Sequence, residues 1–325
     1  MDKPTVSVVI ANWNGAEHLR LCLPSLLSQS YSPLEVIVVD NCSSDDSEAV
    51  AKSFGIRWFP LETNIGLAPA LNRGAAVAVG HLLLFVNNDM RFDPGFVAKL
   101  VKPLDEDQKL FATDGMQFNW DGTVREHMAS RLSRARRSPN SCTELVPGLH
   151  FYQQEEIHRS LVFMASAACM MVRRSVFETL GRFDDRLPLG YEDVEICWRG
   201  WVHGHKTLYV PDAICWHRVG SSQKSSEGSR LSFQGILKGR LLVATKLLPL
   251  RYALRTWLVS IAGLAKDLSR MRWRSAIDRV RVLFQMALLS RQLLRERRGM
   301  FRDANVSPEE LLTSLLQLTV DNGSR

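Results

Sequence analysis

The chain has 325 residues, 46% of them hydrophobic, and a formal net charge of +7. These values exclude an intrinsically disordered protein and provide for one large domain with an appendage. The six cysteines, Cys22, Cys42, Cys142, Cys169, Cys197 and Cys215, show no C-x-x-C spacing and mostly lie in apolar runs, which points to reduced, buried thiols in a cytoplasmic protein.

The N-terminus passes directly into a strand pattern, without the long apolar run of a signal peptide. Val6 to Ala11 (VSVVIA), Glu35 to Asp40 (EVIVVD) and His81 to Asp89 (HLLLFVNND) are apolar at nearly every position, as strands buried on both faces are. Helices are expected between them, over Ala16 to Gln29, Asp45 to Phe54 and Leu67 to Val79. This alternation predicts an α/β fold with a doubly wound, mainly parallel sheet, whose ligands lie at the carboxyl ends of the strands. Each strand ends in small polar residues: Asn12-Trp13-Asn14-Gly15, Asp40-Asn41-Cys42-Ser43-Ser44-Asp45 and Asn87-Asn88-Asp89. Any one of these is an ordinary turn composition. Together they predict one polar cleft.

Gly115 to Glu156 reads as long excursions over that cleft, with a basic cluster from Ser130 to Ser138. Leu161 to Val172 (LVFMASAACMMV) returns as an apolar strand, and a short helix follows over Arg174 to Leu180. The next stretch, GYEDVEICWRG from Gly190 to Gly200, sets Glu192, Asp193 and Glu195 among apolar residues. Val194, Cys197, Trp198 and Trp201 have the spacing of a buried helical stripe, so the acids stand where a helix starts against a core. Helix capping explains acids there, and so does a catalytic carboxylate facing a cleft. A strand at Thr207 to Val210, a Pro211-Asp212 turn and a strand from Ala213 to Trp216 then lead to His217.

From Leu231 to Arg302 there are 16 Lys or Arg against 3 Asp or Glu, so the rest of the chain is net acidic. The pattern there is of long helices with Leu and Trp on one face and Arg on another, none apolar enough to cross a membrane. We therefore expect a domain over 1–230 and a basic, amphipathic helical region over 231–325. The latter suits an anionic membrane surface or a packing partner such as a second copy. Nucleic acid is disfavoured, since no aromatic stacking pattern accompanies the basic residues.

A carboxylate such as Asp89 at the end of a buried strand is costly unless a cation or several donors compensate. A divalent metal held by one or two carboxylates and by substrate phosphates is the simplest compensation. His217 could add an imidazole, shifting preference from Mg²⁺ towards Mn²⁺.

The series VSVVIANWNG, VVDNCSSDDS, NIGLAPALNRG, LLFVNNDM, GYEDVEICWR and DAICWHRVGSS, in this order between about Thr5 and Leu250, resembles the signature of family-2 glycosyltransferases. Within that family it is most similar to the bacterial rhamnosyl and galactofuranosyl transferases. The resemblance implies a GT-A fold, a UDP- or TDP-sugar donor and inversion at the anomeric carbon. It implies that Trp13 lies against the nucleobase, that Asp40 accepts its imide N–H, and that Asn14, Asn41, Asn64, Gly66, Asn72 and Asn88 bind nucleotide and donor sugar, Asn88 falling with Asp89 on the metal-binding motif. By the same resemblance Asp89 and His217 are metal ligands for Mg²⁺ or Mn²⁺, and Asp193 is the general base, with Glu192 and Glu195 as supporting or acceptor-contacting groups. The implied acceptor is a saccharide or lipid-linked saccharide, and the implied location is the cytoplasmic face of the membrane.

Three positions depart from the family pattern: Asn87-Asn88-Asp89 replaces Asp-x-Asp, Ser166-Ala167 replaces Ser-Gly, and Leu187-Pro188-Leu189-Gly190 replaces an aromatic-rich run. The last two bear on acceptor identity. A nucleotidyltransferase of similar topology would use the same nucleotide and metal motifs without a base at Asp193.

Overall fold

β-branched and leucine residues at consecutive positions give the N-terminal half its strands. In the computed structural model, which describes residues 3–134, 142–187, 190–218 and 226–318, this half runs β1 (Val6–Asn12), α1 (Ala16–Leu27), β2 (Leu34–Asp40), α2 (Ser47–Ser53), β3 (Arg57–Pro60), α3 (Leu67–Val77) and β4 (Leu82–Asn87). β3, β2, β1 and β4 lie side by side in that order, all parallel. Successive side chains of one strand point to opposite faces, so both faces need cover. Val9, Ile37, Val39, Leu83 and Phe85 pack with Ala68 and Leu71 of α3. Val8, Ile10, Val36, Val38 and Leu84 pack on the other face with Leu19, Leu23 and Leu26 of α1. The sheet is therefore doubly wound, and the boundaries predicted for β1, β2, β4 and α1 to α3 differ from those observed by at most a few residues.

The chain continues through β5 (Met90–Phe92), α4 (Phe96–Glu106), β6 (Leu110–Asn119), β7 (Arg125–His127), β8 (Ala129–Ser133), β9 (Cys142–Val146), β10 (Leu149–Gln154), β11 (Ser160–Val162), β12 (Met171–Arg173), α5 (Arg174–Thr179), α6 (Glu192–Val202) and β13 (Lys206–His217). The main sheet is completed in the order β11-β13-β6-β12-β4-β1-β2-β3, with β12 antiparallel to both β4 and β6. The architecture is of the GT-A kind expected.

Three local expectations are corrected. The stretch 115–156 is mainly strand: β6 enters the main sheet, and β8, β10 and β9 form a second, three-stranded sheet. Within its basic cluster, Arg131 is buried and donates to Ser160 Oγ at 3.0 Å and to the Leu161 carbonyl; residues 135–138 lie outside the described residues. Leu161 to Val172 is two short strands, β11 and β12, joined by a buried apolar loop, because it serves two different strands of the sheet. The Pro211-Asp212 turn is instead a register shift between Val210 and Ile214 within a single long β13. A bulge accommodates a proline that a regular ladder could not.

The C-terminal region is helical: α7 (Ser226–Lys246), α8 (Leu250–Ser269), α9 (Trp273–Asp303) and α10 (Pro308–Leu316). The boundary expected at 230/231 falls inside α7. Val243, Ala244 and Leu247, with Leu311, Leu312 and Leu315 of α10, join the same core as Trp198 of α6. These helices are thus packed into the body of the protein.

Candidate active site

Strand register brings the polar strand ends together. Asn12 is paired with Asp40, and Ala11 with Asn87, so the last residues of β1, β2 and β4 form one rim. Asn12 Nδ2 donates to Asp40 Oδ1 at 3.3 Å, and Asn88 Nδ2 donates to Asn12 Oδ1 at 2.7 Å. Asp40 also accepts from the backbone N–H of Ser43 at 2.9 Å and from the Ser43 hydroxyl. Asn14 takes part from the next loop: its N–H donates to Ser43 Oγ at 2.8 Å and its carbonyl Oδ1 accepts from the Ser44 N–H at 2.8 Å. Gly15 is required here, because a Cβ at that position would overlap the Asn88 and Asn12 side chains. Trp13 stands at the mouth with half its surface exposed.

Asn41 joins the second loop to the third. Its Nδ2 donates to the Gly66 carbonyl at 3.1 Å, and its Oδ1 accepts from the Ile65 N–H at 2.8 Å. Asn64 Oδ1 accepts from the Gly66 N–H at 3.0 Å and closes that turn.

β5 is antiparallel to the end of β13, pairing Met90 with His217. This places Asp89 Oδ1 3.2 Å from His217 Nε2, both largely buried. An oxygen and an imidazole nitrogen converging at strand ends fit Mg²⁺ or Mn²⁺ chemistry. Among the described residues no third His, Cys, Asp or Glu completes a metal-binding group of three, so substrate oxygens and water would supply the remaining positions. Nearby, the Arg91 guanidinium lies against the Trp120 and Trp216 rings, 4.9 and 4.6 Å from their centroids.

Asp193 sits in the first turn of α6. Its Oδ1 accepts from the Val194 N–H at 2.8 Å and its Oδ2 from the Ala167 N–H at 3.4 Å. The next residue, Ala168, accepts from the Asn87 N–H at 3.1 Å. One short segment therefore ties the α6 carboxylate to the end of β4, next to Asn88 and Asp89. Burial pushes the Asp193 carboxyl up, opposed by those N–H groups and by the nearby His127.

A family model described as glycosyl transferase family 2 matches residues 7–181. The chain belongs to that family. This family-2 glycosyltransferase is 27% identical over 244 residues to an N-acetylglucosaminyl-diphospho-decaprenol L-rhamnosyltransferase of Mycobacterium tuberculosis, spanning 69% of this chain and 80% of the relative. It is also 27% identical over 223 residues to a glycosyltransferase of Haloferax volcanii, spanning 66% of this chain and 67% of that one. Its fold is similar to that of a mannosyltransferase from Pyrobaculum calidifontis in complex with GDP-Man and Mn²⁺, with a TM-score of 0.56 at 16% identity, covering 89% of this chain and 88% of that one. A GalNAc-T7 structure with UDP, GalNAc and Mn²⁺ gives the same TM-score of 0.56 at 19% identity, covering 75% of this chain and half of that one.

Several expected site residues of this glycosyltransferase are engaged by other groups of the protein. Glu195 is fully buried, bound by Arg199 at 2.5 Å and by Lys246 Nζ at 2.7 Å. It is thus enclosed among charged partners and away from the surface. Glu192 is also buried; burial and the adjacent Asp193 push its carboxyl up. Asn72 is a clamp, donating to the Phe183 carbonyl at 2.9 Å and to Asp185 Oδ1 at 2.7 Å while accepting from the Phe183 N–H at 3.1 Å. With its carboxamide so engaged, it holds the loop before α6. A cavity of about 720 Å³ lies beside Asn72, lined also by Arg73, Phe183, Lys246 and Glu296, and none of Asp89, Asp193 and His217 lines it.

Sequence reasoning missed Asp114 and His127. Asp114, fully buried in β6, meets His127 Nε2 at 2.6 Å and accepts from the Ser166 N–H at 2.9 Å. It thereby fixes the 166–167 turn whose next N–H reaches Asp193. An aspartate inside the otherwise apolar run LFATDGM was the available signal, because a buried acid in a strand needs a partner. Glu126 was missed as well. Burial pushes its carboxyl up, while His217 and Asp89 lie close enough to act on it in opposite senses.

Proposed function

We propose that this glycosyltransferase is an inverting enzyme that moves a sugar from a UDP- or TDP-sugar to a hydroxyl of a saccharide or lipid-linked saccharide, with Asp193 as general base. The observation that carries this reading is the Ala167–Ala168 segment, which couples Asp193 to the β4 end beside Asn88 and Asp89 and so supports a base and donor-side residues acting together. Displacement with inversion needs the acceptor oxygen deprotonated on the side of the sugar away from the leaving diphosphate, and a carboxylate supplied by a separate element suits that task.

Trp13 offers an exposed ring for the nucleobase. Asp40 already accepts three hydrogen bonds, which leaves about one of its four lone-pair sites for an imide N–H. Asn14, Asn41, Asn64, Gly66 and Asn88 shape the loops around nucleotide and sugar. Asp89 and His217 would hold a Mg²⁺ or Mn²⁺ ion, and two solved relatives in fold contain Mn²⁺ with a nucleotide or nucleotide-sugar. When bound, the ion supplies charge stabilisation for the departing diphosphate. The mycobacterial relative, named for a decaprenol-linked acceptor and L-rhamnose, supports a lipid-linked acceptor and a rhamnosyl donor. Acting on such an acceptor would place the enzyme at the cytoplasmic face of the membrane as a peripheral protein, in cell-wall or polysaccharide assembly.

A ligand-detected screen of UDP- and TDP-sugars with Mg²⁺ or Mn²⁺ present tests the reading; binding of neither class would overturn it. Asp89→Ala is expected to abolish the metal-dependent part of nucleotide binding, measured by calorimetry with and without the metal. Undiminished metal-dependent binding in that variant would remove Asp89 from the ligand set.

A further inference from the structure

The helices α8 and α9 both leave rows of apolar side chains on their outer faces. In α8, Thr256, Ser260 and Asp267 are buried, whereas Leu254, Leu258, Ile261 and Leu268 are exposed at 44–68%. The exposed four recur at helical spacing and form one stripe. α9 buries Ala276, Val282 and Met286 together with Asp278, and still exposes Trp273, Ile277, Val280, Phe284 and Leu288 at 48–69% in a second stripe. The inward polar groups are satisfied: Asp267 pairs with Arg279 at 2.9 Å, and Asp278 accepts from Gln234 at 2.9 Å. The Thr256 and Ser260 hydroxyls donate to carbonyls one turn back, at 2.7 Å each. A hairpin that encloses its acids and turns leucines and a phenylalanine outward is not arranged for water.

Charge selects what covers this face. Between Leu250 and Arg295 the acids are Asp267 and Asp278, both turned inward. Lys266, Arg270, Arg272 and Arg274 are exposed around the turn between the helices, beside Met271, which is 76% exposed, and Arg281 is exposed on α9. A second copy laid on the face by a two-fold axis would set cations against cations. An anionic bilayer offers hydrocarbon to the apolar stripes and phosphates to the arginines. No described helix is long and apolar enough to cross a membrane, so the hairpin would lie in the interface plane.

We propose that the α8–α9 hairpin docks on an anionic lipid bilayer, with Leu258 and Phe284 among the inserted side chains and the turn cations at the headgroups. This stands apart from the sugar chemistry, since vesicle binding is read without donor or acceptor. Point variants suit the test better than truncation, because α7 and α10 contribute to the core of the whole protein.

The full chain is expected to co-sediment with phosphatidylglycerol/phosphatidylcholine vesicles far better than with phosphatidylcholine alone, and less so as salt screens the charges. Each cation near such a surface is worth about fivefold in affinity, so Arg270→Gln/Arg272→Gln/Arg274→Gln should weaken binding by about a hundredfold. Leu258→Ser/Phe284→Ser should weaken it by at least about tenfold with an unchanged thermal midpoint, both residues being exposed. Trp273 emission should shift to the blue on anionic vesicles, a change absent from Trp273→Phe. Failure of the wild-type chain to prefer anionic vesicles would overturn the proposal. So would a solution dimer that Leu258→Ser/Phe284→Ser breaks while vesicle binding persists.

Discussion

Asp193→Asn is expected to lower turnover by at least about a hundredfold while leaving donor and metal binding intact. The substitution keeps the size of the side chain and removes only the capacity to take a proton. The carboxylate's present contacts are backbone N–H groups, from Val194 and Ala167, and these position it without consuming a charge partner. Burial is the main cause that raises its pKa, and the groups nearby are Glu192, itself pushed up, and His127, which is paired with Asp114. A general base acts only when deprotonated, so activity is lost as pH falls through a raised value. The acid limb of kcat/KM should then lie above the ordinary aspartate value of about 3.9, and the residual activity of Asp193→Asn should lack that limb. Steady-state kinetics, with nucleotide affinity measured separately, distinguishes the outcomes. Full activity in the variant would sink the base assignment.

Lys246→Met is expected to destabilise the fold by about 3–5 kcal/mol, the cost of stranding buried carboxylates. Lys246 Nζ contacts Asp184 Oδ2 at 2.9 Å and Glu195 Oε1 at 2.7 Å, and both acids are largely or fully buried. Arg186 bridges Asp184 at 2.6 Å and Glu296 of α9 at 2.7 Å, so the cluster joins the loop before α6, α6 itself, α7 and α9. A fall in Tm on the order of 10 °C is the expected readout. The double variant Lys246→Met/Glu195→Gln should recover part of it, because one stranded charge is removed. A Tm within about 2 °C of wild type for Lys246→Met would show that the cluster contributes little.

The same cluster gives a pH dependence of known sign. Burial opposes the charge on Asp184, but hydrogen bonds from Arg186 and Lys246 and the Lys246 charge outweigh it and hold the carboxyl well below the usual carboxylate range. A depressed folded-state value stabilises the protein above the unfolded carboxylate pKa, and that stability is lost as pH falls below it. Lys246→Met should therefore lose part of the acid sensitivity of unfolding as well as stability at neutral pH.

Legibility followed the range of the interactions concerned. The runs VSVVIA, EVIVVD and LLLFV are apolar at consecutive positions, and such runs have one good solution, a strand buried on both faces. The polar ends of these strands fell into one rim because parallel register aligns carboxyl ends. β3 and α4 carried weaker patterns and were not assigned. The 115–156 stretch misled because its strands pair with distant partners: β6 lies between β12 and β13, and turn-rich composition says nothing of that. Leu161 to Val172 misled for the opposite reason, since an unbroken apolar run does not mark where the chain leaves one strand neighbour for another.

By itself, the sequence determined the doubly wound sheet, the polar strand ends and the family, whereas the pairing of β5 with β13 brought Asp89 to His217. The acids of GYEDVEICWRG were recognisable as a group, but spacing could not rank them, since all three fall within one helical turn or so. Tertiary structure decided that Glu195 is held by Lys246 from 51 positions away, that Glu192 is enclosed, and that Asp193 meets the turn bound to the β4 end. It also decided which side of α8 and α9 is buried: in α8, Thr256, Ser260 and Asp267 went inward while Leu254, Leu258 and Ile261 stayed outside. Periodicity reports local geometry, whereas the choice of partner for a charge or a face depends on what the rest of the chain brings to it.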